Sequence, residues 1–197
     1  LRQALLSSAQ VITEGNAEFT RIPITWQGNG LLRVAAAWDL LKTNIKTAEI
    51  SSFVDVNTVL SGFLAQPGVG VGIFDREGVA AGDSYTRTYH LVRTKGGSKP
   101  VTYNVSWVGD VSSFSSPGTV SLPLNKPVEF PVTINASTAG EHSAILNLDD
   151  PNSAGVEFQT LNTVIATEGF TAGNNYTVTE TSTIDRAQAR SYFFRVP

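Results

Sequence analysis

Between Ser84 and Trp107 the side chains alternate in character residue by residue, and a chain written this way has few ways to fold. In SYTRTYHLVRT, Tyr85, Arg87, Tyr89, Leu91 and Arg93 fall on one side and Thr86, Thr88, His90, Val92 and Thr94 on the other, which is the period of a β-strand. The turn KGGSKP follows, and VTYNVSWVG then sets Val101, Tyr103, Val105 and Trp107 on a common face. The two runs predict a hairpin or a pair of neighbouring strands. Further strands are expected over residues 119–122, 128–135, 142–149, 156–166, 175–183 and 191–196, with turns between them at Pro117 and Gly118, Ala139 and Gly140, 150–155 and 172–174. PGVGVGIFDREG adds a turn at Pro67 and Gly68, a short strand through Phe74 and a second turn over residues 75–78. Short strands at this spacing, with no helical period between them, predict an antiparallel β-sandwich of the immunoglobulin or jelly-roll kind.

Upstream the period changes to 3.6. In QGNGLLRVAAAWDLLK, Leu31, Val34, Ala35, Trp38 and Leu41 share one helical face. The alanines at 35, 36 and 37 favour helix and permit close packing, and Trp38 is expected to anchor that face. An earlier helix uses Leu5, Leu6, Ala9 and Ile12 and stops near Thr13 and Gly15. Residues 16–26 read as an extended excursion in which Pro23 biases Ile22 away from helix. Residues 44–62 carry Ile45, Ile50, Phe53, Val54, Val56, Val59 and Leu60 among many Ser, Thr and Asn, a connection that becomes strand-like. The expected organisation is therefore two helices in residues 1–43, a linker in 44–66 and a β-sandwich domain in 67–197.

At 41% hydrophobic and 16% charged residues the chain is too apolar to stay disordered. A net charge of -3, with no Lys/Arg cluster longer than two, excludes a nucleic-acid groove. There is no cysteine for a disulfide or a thiolate metal site. No run of 18 apolar residues suits a membrane span. The chain has no methionine and opens on Leu1, so its start is expected to be a cleavage boundary.

Candidates for chemistry are thin. The imidazoles are His90 and His142, each read as a packed or turn-capping side chain, and no GxSxG, SxxK or HExxH occurs. No catalytic, cofactor-binding or metal-binding residue is assigned. Gly68, Gly70 and Gly72 lack the spacing of a dinucleotide loop. Asp149, Asp150 and Asn152 offer oxygens to calcium without the EF-hand pattern, and read as a solvated turn beside Pro151. Asp75, Arg76 and Glu77 read as a charged hairpin tip. Asn104, Asn135 and Asn175 head N-x-S/T triplets of a kind that Ser/Thr/Asn-rich chains produce by chance. Tyr85, Tyr89, Tyr103, Trp107, Tyr192, Phe193 and Phe194 suit either a sugar-stacking platform or, as is commoner for alternating aromatics, the core.

LRQALLSSAQVI at 1–12 and GNGLLRVAAAWDLL at 28–41 resemble the close of the catalytic domain in subtilisin-like serine peptidases. There a "vrqaLlstA" helix, a variable excursion and a "GxGlvnvxxAxxxl" helix follow the GTSMA segment of the nucleophile. Residues 128–166 and the terminal SYFFRVP, through Gly140, His142, Pro151, Phe158, Phe193, Arg195, Val196 and Pro197, look like the β-sandwich behind the catalytic domain of tripeptidyl peptidase II and related large subtilases. The resemblance implies serine-type proteolysis for a parent protein, by an Asp/His/Ser triad with an Asn oxyanion donor, none of which falls at a position here. It further implies a secreted C-terminal portion that begins just downstream of the catalytic serine and is inactive alone. Such a portion would brace the catalytic part, shape substrate access or mediate assembly. Its expected partners are that amino-terminal part, peptide or protein substrate through it, and further copies of the same assembly, with no nucleic acid or membrane. The alternative is a non-enzymatic adhesin or carbohydrate-binding sandwich on a helical stalk.

Overall fold

The computed structural model describes residues 1–12, 22–43, 45–46, 48–181, 183–184 and 191–195. Its centre is a β-sandwich, with a layer of short helices over the outer face of one sheet. The strands are β1 Ile50–Asp55, β2 Val69–Gly70, β3 Phe74–Asp75, β4 Asp83–Arg93, β5 Val101–Gly109, β6 Phe114–Ser115, β7 Thr119–Leu122, β8 Pro127–Ala136, β9 Gly140–Asp149, β10 Phe158–Ala166, β11 Glu168–Gly169 and β12 Phe194–Arg195. One sheet runs β2-β1-β4-β8-β6 and the other β3-β10-β9-β5-β7, while β11 and β12 form a separate pair. Within the two sheets every pairing is antiparallel except β3 with β10.

The alternation along β4 is realised as written: Tyr89, Leu91 and Arg93 are buried, Tyr85 and Arg87 are half-buried, and Thr86, Thr88 and His90 face solvent. The expected β4–β5 hairpin does not form. β4 pairs with β1 and β8, and β5 with β7 and β9, so the two strands lie in opposite sheets. Alternation specifies which face of a strand is covered, and facing strands of a sandwich satisfy it as well as paired ones. Between the sheets Tyr89, Leu91, Phe130, Val132 and Ile134 meet Tyr103, Leu122, Leu146, Leu148 and Val164. Trp107 stacks on Phe114 with ring centroids 5.2 Å apart.

The loop from β4 to β5 crosses between the sheets around Arg93, whose side chain is fully buried. Its Nε donates to the Leu122 carbonyl (3.1 Å), Nη1 to the carbonyls of Lys95 (3.1 Å) and Gly97 (2.9 Å), and Nη2 to that of Lys99 (2.8 Å). Carbonyl dipoles replace a carboxylate here, which satisfies the rule that a buried cation must be hydrogen-bonded.

The helices are α1 Arg2–Ser8, α2 Ile24–Gln27 and α3 Val34–Leu41. α2 corrects the expected extended excursion: Pro23 is its N-cap, where a missing N–H costs nothing. Thr13, Gly15 and residues 16–21 of that excursion lie outside the described residues. α1 ends at Ala9, whose ψ of 144° is extended, and Gln10 and Leu31 exchange backbone hydrogen bonds of 2.9 and 2.8 Å. α1 packs on α3 and binds the sandwich through Ser7 Oγ, which accepts from the Val156 N–H at 2.9 Å.

Residues 44–66 contain β1, the second strand of its sheet, and a 3₁₀ turn, Val59–Phe63. At the other end, residues 175–181 form no strand, and a 3₁₀ turn, Ala172–Asn174, precedes them. The strand expected over 191–196 contracts to β12, and Val196 and Pro197 lie outside the described residues. Replacing Arg93 by Met keeps an apolar stem and strands four carbonyls; urea melts are expected to show a loss of about 2–3 kcal/mol.

Candidate functional site

β9 is buried along nearly its whole length. Ala144, Leu146 and Leu148 face the other sheet, whereas the intervening Ser143, Ile145 and Asn147 are covered from outside. The cover is helical: Ile24 N–H donates to Ser143 Oγ at 3.0 Å, and Asn29 Nδ2 donates to Gln159 Oε1 at 3.0 Å on the neighbouring strand. A Cβ on Gly109 would lie 2.6 Å from Ile24 and 2.7 Å from the Ser143 carbonyl, so glycine is required where α2 meets the sheet.

α2 meets the sheet through the buried Ile24, and α1 and α3 pack on each other. Ala4 and Ala37 are buried, while the face carrying Leu31, Val34, Trp38 and Leu41 points to solvent, with Trp38 62% exposed. Trp38, expected to anchor that face against a larger body, is not covered by the described residues of this chain. Leu32 beside this face and Trp26 on α2, the latter 70% exposed, are also turned to solvent. Exposed Arg33 stands between Leu32 and Val34, while Lys42 and Asp39 pair with each other at 3.0 Å and Lys42 Nζ sits 5.6 Å from the Trp38 ring centre. Contiguous apolar surface of this kind marks a contact site.

His142 is buried where β9 begins. Its Nε2 meets the Thr138 carbonyl at 2.8 Å, and its Nδ1 meets both Asp110 Oδ2 and Ser113 Oγ at 2.8 Å. The Ser113 hydroxyl donates to Asp110 Oδ2 at 2.7 Å, and the Ser112 hydroxyl to Asp110 Oδ1 at 2.6 Å. A hydrolytic triad places the hydroxyl and the carboxylate on opposite imidazole nitrogens; here they share one. The cluster ties the turn after β5 to the β8–β9 turn, as expected of a turn-capping histidine. Asp110 and Ser113 stand 32 and 29 residues from His142, a distance no local motif spans. Burial raises the Asp110 carboxyl, but hydrogen bonds from Ser112, Ser113 and His142 outweigh it and hold the group below its ordinary value. His90 lies exposed on β4, opposite Phe53 and Glu129.

Asp75, read as a hairpin tip, is fully buried. It accepts from Arg87 Nε and Nη2 (3.0 and 3.1 Å), Tyr85 Oη (2.6 Å) and Asn57 N–H (3.0 Å). Burial and that hydrogen bond push the Tyr85 phenol far up. Asp150 caps its own turn, Oδ1 accepting from Asn152 N–H at 2.9 Å, and its own N–H donates to Glu157 Oε2 at 2.5 Å. Tyr89 and Tyr103 belong to the core, Trp107 and Phe193 are half-buried, and Tyr192 and Phe194 are exposed. Asn104, Asn135 and Asn175 are exposed.

Residues 53–166 match the sequence family described as the Ig-like domain in actinomycete serine proteases. Pyrolysin of Pyrococcus furiosus is 28% identical over 189 residues, 87% of this chain; the chain spans 12% of pyrolysin's length. Among solved structures, a FixG-related protein from Vibrio parahaemolyticus aligns with 62% of this chain and 98% of its own, at 13% identity and a TM-score of 0.39. SSP-19 of Caenorhabditis elegans, an MSP-domain protein like family member, aligns with 45% of this chain and 89% of its own, at 14% identity and a TM-score of 0.31.

Because the folded-state Asp110 carboxyl lies below its unfolded value, its stabilisation is complete above about pH 4 and fades as the pH falls through the folded value. Asp110→Asn is expected to lose about 1–2 kcal/mol at pH 7. The gap to the wild type should narrow from pH 4 to pH 2 in urea melts; a gap unchanged over that range would refute the coupling.

Proposed function

The chain belongs to the family of Ig-like domains in actinomycete serine proteases, and from that premise we propose that it is an accessory part of a subtilisin-type serine peptidase, braced against the catalytic part by its helical layer. The observation that carries this reading is the exposed apolar face of α3 and its flanks, with Leu31, Val34, Trp38 and Leu41 turned to solvent while Ala37 is buried. Fully burying a side chain of this size contributes about 1.5–3 kcal/mol. Several of them together offset the cost of holding two bodies in one orientation.

The match to pyrolysin and the subtilase-like sequence of α1 and α3 support the same assignment. In this reading residues 1–43 complete the catalytic part, the sandwich stands behind them, and residues 44–66 join the two while contributing β1. The likeness of residues 128–166 to the sandwich of tripeptidyl peptidase II supports a place among the large subtilases. The peptidase acts outside the cell, and the nucleophile, base and oxyanion donor are supplied by the catalytic part. The chain alone is inactive toward peptides.

Co-expression with a subtilisin-type catalytic part ending at its GTSMA-bearing helix should yield a complex that co-elutes in size exclusion. Leu31→Glu combined with Trp38→Glu is expected to abolish co-elution while shifting the melting temperature of the isolated chain by less than about 2 °C, because both side chains are exposed. Equal co-elution of the variant would overturn the reading.

A further inference from the structure

Asn29–Gly30 is the one Asn-Gly dipeptide in the sequence, and it falls in the turn that leaves α2, where the helices meet the sandwich. Asparagine followed by glycine is the dipeptide most prone to deamidation, because no side chain shields the glycine nitrogen from the neighbouring amide carbon. The reaction needs that nitrogen and that amide to swing together, and here both are held. Asn29 Nδ2 donates to Gln159 Oε1 on β10 at 3.0 Å, and Gly30 N–H donates to the Gln27 carbonyl at 3.1 Å. Gln159 is fixed in turn, its Nε2 donating to Asn147 Oδ1 on β9 at 2.9 Å.

The backbone around the pair has no slack. Gly30 has a φ of +94°, and a Cβ there would lie 2.1 Å from the Gln10 carbonyl oxygen. Leu31, the next residue, exchanges with Gln10 the two hydrogen bonds that tie the end of α1 to the approach of α3. A main chain one carbon longer at residue 29 has no room beside Gln10.

We propose that Asn29 is a site of spontaneous covalent modification, kept intact while its turn is seated on β10 and converted to aspartate or isoaspartate when that seat opens, the isoaspartate then preventing the helices from reseating. In the first step a solvent hydroxide takes the Gly30 amide proton and the nitrogen attacks Asn29 Cγ. The N–Cγ bond forms, the Cγ–Nδ2 bond breaks, and Nδ2 takes a proton from water and leaves as ammonia. Water then opens the five-membered imide. Opening at Cγ gives aspartate; opening at the main-chain carbonyl gives isoaspartate, whose backbone runs through Cβ and Cγ. No oxidant or reductant takes part. The joint between helices and sandwich thereby has a finite lifetime, since each opening exposes Asn29 to a reaction that does not reverse.

The test keeps the 197-residue chain in mildly alkaline buffer, with and without urea. Peptide mass mapping follows conversion at Asn29, and enzymatic methylation of isoaspartate identifies the product. Conversion is expected to be at least about tenfold slower in the native chain than in urea. Gln159→Met removes the acceptor of the Asn29 amide and should speed native conversion about fivefold, the factor one hydrogen bond commands. Arg93→Met, which destabilises the sandwich away from this turn, should convert more slowly than Gln159→Met even if both lower the melting temperature. Equal rates with and without urea, no acceleration in Gln159→Met, or the same acceleration in Arg93→Met would overturn the gating. The isoaspartate form, separated by ion exchange, should be cut by trypsin after Arg33 faster than the unmodified chain; equal cutting would overturn the loss of seating. The measurement uses this chain alone, so its outcome is independent of the docking to a catalytic part.

Discussion

The structure depends on β9 being buried on both faces. A strand in a two-layer sandwich normally shows one face to water and alternates accordingly. β9 cannot, because Ser143, Ile145 and Asn147 lie under the helical layer while Ala144, Leu146 and Leu148 form the core. The sandwich is thus incomplete without residues 1–43, and the helices are held by the strand they cover. Ile24 N–H on Ser143 Oγ and Ser7 Oγ on Val156 N–H satisfy polar groups that this third layer would otherwise bury unpaired.

Much of this was legible in the residues. β5 and β7 occupy the runs their alternation marks, and β4, β8, β9 and β10 come within a few residues of theirs. The inward set of β4, two arginines included, is the one alternation assigns. What could not be read was pairing. Tyr89 and Tyr103 both point inward, and only tertiary structure shows that they do so from opposite sheets. The same limit applies to α3: a period of 3.6 groups Val34 with Trp38 and Leu41 but does not say whether that face or the alanine face is covered by this chain. The alanine face is covered, through Ala37, because α3 packs on α1 and small side chains let two helices approach closely.

The partners of the functional side chains were equally hidden. Asp75 looked like the tip of a charged turn because Arg76 and Glu77 follow it, yet its carboxylate is enclosed by Arg87, Tyr85 and the Asn57 amide. Asp110 and Ser113 reach His142 only because the turn after β5 folds back beside the β8–β9 turn. In both cases a titratable group is fixed by neighbours that are remote in sequence. Both clusters brace loops at the ends of strands, where a sandwich without disulfides needs cross-links of another kind.

The face of α3 that carries Leu31, Val34, Trp38 and Leu41 is left uncovered by the described residues. The helical face offers side chains in a fixed three-dimensional arrangement, so it selects a folded body with a complementary shape.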